Sequence, residues 1–85
     1  MRGYDVPATV RALLDEISAF DGLSLRGKTQ TAIYRGSKPF LHFHWSDEGI
    51  VADVRYAGPD FERVPVDSVA QRRQLVRDVK QFLAQ

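Results

Sequence analysis

Val6, Val10, Leu13, Leu14, Ile17 and Phe20 recur at spacings of three and four, which puts all six on one stripe of a helix from about 6 to 20. Asp5 is placed to cap its first amides and Pro7 to sit in the first turn, where no intrahelical N–H bond is lost; Gly22 would end it in the left-handed conformation. Near the other end of the chain the same period returns in Val69, Leu75, Val76, Val79, Phe82 and Leu83. Ser68 and Gln71 have the spacing of a capping box, so the second helix begins at Asp67 or Ser68. Arg73, Arg77 and Lys80 fall together on its opposite, solvated side.

Between these stripes the period changes to two, broken by turn signals at 26–28, 36–39, 46–49 and 57–60. The strands expected are about 23–26, 29–35, 40–45 and 50–56, with a possible fifth at 61–66 that Pro65 confines to an edge or to irregular structure. An evenly paired hairpin across Ser46 to Gly49 sets Trp45 opposite Ile50, Phe43 opposite Ala52 and Leu41 opposite Val54, all apolar. The same register sets His44 opposite Val51, His42 opposite Asp53 and Phe40 opposite Arg55 on the other face. Two helices of about 10 Å width cover one face of a sheet with strands about 4.8 Å apart. The expected fold is therefore α+β: a two-layer sandwich of helix, four to five antiparallel strands and helix, with both helices on one face. Tyr34, Phe40, His42, His44, Val51, Asp53 and Arg55 are left on the other.

Length and composition narrow the class without changing this picture. Eighty-five residues, 44% hydrophobic and 27% charged, make one globular domain over 1–85. Cysteine is absent, which removes disulfides, thiolate nucleophiles and zinc ribbons. Met1–Asp5 carries no apolar leader, and no stretch approaches the roughly 20 apolar residues of a membrane span, so a cytoplasmic location is expected and a membrane partner is not. The net charge of +1 implies no partner, but its distribution is uneven. Arg26, Lys28, Arg35 and Lys38 lie in a stretch without acids, whereas Asp47, Glu48, Asp53, Asp60 and Glu62 follow against Arg55.

His42, Phe43 and His44 put two imidazoles on one side of a strand, and Asp53 across the ladder is a candidate third metal ligand. A protein zinc site takes three or four ligands and the chain has only these two histidines, so the competing expectation is a polar face with His42 hydrogen-bonded to Asp53. A small hydrolytic site would use the same residues, Asp53 orienting His42, with Ser37, Ser46 or Thr31 supplying a hydroxyl. No spacing ties a hydroxyl to them, and both a G-x-S-x-G elbow and a phosphate-binding glycine loop are missing, which argues against an enzyme and leaves no cofactor expected.

Nucleic-acid binding would use Arg26, Lys28, Arg35 and Lys38 on the backbone, with Tyr34 and Phe40 stacking on bases. The element order resembles that of a double-stranded-RNA-binding domain in topology alone, because Gln71–Arg77 lacks the lysine- and alanine-rich helix opening of such domains. The sequence favours a non-catalytic protein-interaction or ligand-binding module, with self-association through Tyr34, Phe40, His42, His44, Asp53 and Arg55, Arg55 stacking beside Phe40.

Overall fold

The first apolar stripe becomes α1, Ala8–Ser18, in a computed structural model that describes residues 5–85. Residues 1–4, most of the segment expected to carry no leader, lie outside the described residues. The helix is shorter at both ends than its stripe. Pro7, not Asp5, stands at the N-cap position, and it brings no side-chain cap of its own. Ala19 is the C-cap, and Gly22 (φ +88°) turns the chain into β1 instead of ending the helix.

Strands β1 (Leu23–Arg26), β2 (Ala32–Arg35), β3 (Lys38–Ser46), β4 (Gly49–Val54) and β5 (Glu62–Pro65) form one antiparallel sheet in the order β1-β2-β3-β4-β5. The fifth strand exists, and Pro65 stands on an edge as its missing N–H requires. β2 begins at Ala32, later than the alternation suggests, because residues 27–30 form a turn with Gln30 in the left-handed region (φ +53°), beside which Thr29 and Thr31 join hydroxyls at 2.8 Å. Arg11 of α1 donates to the carbonyls of Thr29 (3.1 Å) and Gln30 (2.9 Å), tying this turn to the helix.

The β3–β4 register is the even one, with Leu41 opposite Val54, Phe43 opposite Ala52 and Trp45 opposite Ile50. These face Val10, Leu13, Leu14 and Ile17 of α1 and Leu75, Val76 and Val79 of α2 (Val69–Leu83) in a single core. Both helices therefore lie on one face of the sheet, with Trp45 and Ile50 partly buried at the core margin. Arg73, exposed as expected, also reaches α1 and donates to both carboxylate oxygens of Glu16 at 2.6 and 3.0 Å. That guanidinium holds the Glu16 carboxyl below the usual carboxylate range.

The capping box forms as its spacing predicts: Gln71 N–H donates to Ser68 Oγ, and Gln71 Oε1 accepts from Ser68 N–H. Val69, expected inward, is 66% exposed; it is the first residue of α2 and lies well before Leu75, where the buried stripe begins.

Phe40 departs furthest from expectation. The β2–β3 register runs Ile33 opposite Leu41 and then Tyr34 opposite Pro39, so Phe40 is an extra residue on β3. A bulge puts two successive side chains on the same side of a strand. Phe40 and Leu41 thus both face the core, and Phe40, 3% exposed, lies against Phe82 (ring centroids 6.1 Å) and Tyr56 (6.3 Å).

Candidate functional site

The face of the sheet opposite the helices is built by alternation. His42 and His44 leave β3 on the side away from Leu41 and Phe43, and Asp53 leaves β4 on the side away from Ala52 and Val54. Cross-strand pairing sets His42 opposite Asp53 and, on the next ladder, Asp53 opposite Arg63 of β5. Four polar side chains from three adjacent strands are thereby brought together.

Asp53 is the hub and is 8% exposed. Arg63 Nε donates to its Oδ1 at 2.8 Å and Arg63 Nη2 to its Oδ2 at 3.0 Å. This two-pronged pair is the main reason the Asp53 carboxyl is held below its ordinary value, against the opposing effect of burial. An ionised carboxylate can only accept, so the nearby imidazole nitrogen must be the donor: His44 Nε2–H donates to Oδ2 at 3.1 Å. His42 Nε2 stands 3.4 Å from the same oxygen. The expected hydrogen bond from His42 is thus made by His44, one pleat along.

The two imidazoles meet edge to face, with centroids 4.9 Å apart. Burial pushes the pKa of His42 down, and His44 and Arg63 add to this while Asp53 opposes it. On its other side His42 meets the ring of Phe61 at 5.1 Å, and the Arg55 guanidinium lies over that ring at 5.2 Å. Arg55 therefore stacks on Phe61, not on Phe40, because the bulge has taken Phe40 into the core. Tyr34 lies on the uncovered face under Arg26, whose Cζ is 5.3 Å from its ring centroid.

The cations proposed for nucleic acid are divided. Arg26 stays with Tyr34, whereas Arg35 lies over Phe82 of α2 (5.1 Å) and lines, with Lys38 and Arg55, a cavity of about 710 Å³ at the β2–β3 end of the sheet. Phe40, buried, offers no ring to a base. Lys28 lies in the turn at the opposite end of β2.

Sequence reasoning missed Arg63 and Phe61 as site residues. A signal existed for both: if Val64 and Val66 point inward, alternation sends Phe61 and Arg63 outward beside His42 and Asp53.

His42, His44 and Asp53 each offer one ligand atom, and these atoms lie within 4.8 Å of one another. No hydroxyl nucleophile is hydrogen-bonded to either imidazole among the described residues. No helix among the described residues is long and apolar enough to cross a membrane. No protein family, curated protein or solved structure matches this chain.

Proposed function

We propose that this chain is a non-catalytic binding module whose uncovered sheet face recognises a protein surface, and that a second copy is the partner it fits. The observation that carries this reading is the ordering of that face. Its central carboxylate is nearly buried, and Arg63, His44 and His42 surround it from the face itself, while Phe61, 38% exposed, and Tyr34 offer aromatic area at the margins. Aromatic, histidine and arginine side chains already held by their neighbours lose little freedom on binding.

Charge does not oppose self-pairing: each end of the sheet is mixed, with Arg35, Lys38 and Arg55 beside Asp60 at the β2–β3 end and Asp47 and Glu48 beside Lys28 at the β3–β4 end, so two copies packed face to face meet no block of like charge. Size limits the strength. Five strands about 4.8 Å apart and about 20 Å long present on the order of 500 Å² per copy, below the roughly 800 Å² of a stable interface, so the association is weak and reversible.

Sedimentation equilibrium from about 10 µM to about 1 mM tests this, with an expected midpoint inside that range. Phe61→Ala and Tyr34→Ala should each move the midpoint upward several-fold, and Arg77→Ala on the far side of α2 should not. A monomer at every concentration would overturn self-association. Salt-sensitive retention of single-stranded RNA by the same monomer would move the face to nucleic acid.

A further inference from the structure

We infer that His42, His44 and Asp53 form a binding site for a divalent transition-metal ion of the zinc type, with Arg63 as the residue that positions the carboxylate. This goes beyond partner recognition and does not depend on it.

The argument is geometric. Zinc bonds to imidazole nitrogen and carboxylate oxygen are about 2.0–2.2 Å, so a tetrahedral site has ligand-to-ligand edges of about 3.3–3.6 Å. The edges from Asp53 Oδ2 to His42 Nε2 and His44 Nε2 are 3.4 and 3.1 Å. Both imidazoles thus present the same ring nitrogen to one oxygen at nearly the spacing a metal imposes. One ligand atom from each of the three residues lies within 4.8 Å of the others, and both imidazoles retain solvent contact, so the edge between them can close on the ion by ring rotation.

Strand geometry gives this arrangement a rigid base. His42 and His44 are two apart on β3, Asp53 is on the neighbouring strand, and the β3–β4 ladder continues beyond them in both directions. Arg63 Nε on Oδ1 leaves Oδ2 turned toward the histidines, the kind of hydrogen bond that orients a metal-binding carboxylate. Its positive charge opposes the ion, which limits affinity, but its side chain is largely exposed and Nη2 can leave Oδ2 while Nε keeps Oδ1.

Binding requires both Nε2 atoms to give up their protons and present lone pairs, with Nδ1 carrying the ring N–H. Three protein ligands leave one coordination position for water. Imidazole donors select zinc, cobalt or nickel over magnesium or calcium.

Isothermal calorimetry and histidine side-chain NMR on untagged protein, at a concentration where sedimentation shows monomer, test this with zinc chloride and then magnesium chloride. One zinc per chain with micromolar affinity is expected, both Nε2 resonances shifting together and magnesium producing no change. His44→Gln and His42→Gln on this solvent-facing side should each weaken zinc at least about tenfold with the thermal midpoint little changed. Arg63→Gln, which removes the opposing charge and keeps a donor, should tighten it. Imidazole resonances unmoved by millimolar zinc, or zinc binding that survives both histidine substitutions, would overturn the site. Neither result bears on whether the face self-associates.

Discussion

Phe40→Ala is the perturbation that separates the two possible faces of β3 most sharply. Even alternation from His42 puts Phe40 on the uncovered face, where truncation costs little; the bulge opposite Ile33 and Tyr34 puts it in the core. A fully buried aromatic side chain removes about 150–250 Å² from water, worth roughly 4–6 kcal/mol at about 25 cal/mol per Å², with the extended unfolded reference making this an upper bound. Phe40 also loses its contacts with the rings of Phe82 and Tyr56, each aromatic pair contributing about 0.5–1.5 kcal/mol. Partial collapse of the surroundings recovers some of this, and the measured range for buried Phe→Ala is about 3–5 kcal/mol. Small domains lose about 4–8 °C of Tm per kcal/mol, so a fall on the order of 15–30 °C is expected. Urea denaturation followed by circular dichroism reads the free energy directly, with His44→Ala as the control. A Phe40→Ala cost below about 1 kcal/mol, or one no larger than that of His44→Ala, would place Phe40 on the surface and refute the bulge.

Two further outcomes follow from local geometry. A Cβ on Gly49 (φ +137°) would stand 2.6 Å from Asp67 Oδ1, the acceptor of the Ile50 N–H, so the Asp67 side chain would have to move and give up that bond; Gly49→Ala should cost about 1–3 kcal/mol in urea titration, and a neutral result would mean that Asp67 is not held there. Burial, with Asp78 and Glu62 adding to it, pushes the Tyr56 phenol up to about 12 from an ordinary value of 10. The unfolded chain then ionises first, so the stability Tyr56 contributes is whole below about pH 10 and is lost as pH rises toward about 12. Because the ring is partly solvated, roughly 1–2 kcal/mol of this loss should belong to Tyr56, and Tyr56→Phe should remove it from a stability profile taken between about pH 9 and about pH 12; an unchanged slope would assign the loss elsewhere.

Most of the architecture was legible because the chain writes it twice, once in period and once in punctuation. Trp45 and Ile50 flank a short polar loop, and only one register sorts Leu41, Phe43, Ala52 and Val54 from His42, His44 and Asp53. Ser68 and Gln71 likewise fixed the start of α2 by spacing alone. Phe40 was not legible, since a bulge is a property of two strands and depends on how β2 aligns with β3, which neither strand encodes by itself. Arg63 escaped for a related reason: its pairing with Asp53 needs β5 to join the sheet, and the short segment around Pro65 gave no assurance of that. The ends of α1 were misplaced because the outer members of its stripe, Val6 and Phe20, pack on the core from outside the helix.

The sequential strand order also bears on how quickly the structure assembles. Each strand pairs only with its neighbours along the chain, so the sheet grows by successive hairpins whose loops are short and cheap to close. Docking of the two helices on one another joins distant parts of the chain, as in the contact of Glu16 with Arg73 across 57 residues. The longest loop that folding must close is thus the one that brings α1 and α2 to rest on the same sheet, while every strand pairing is local.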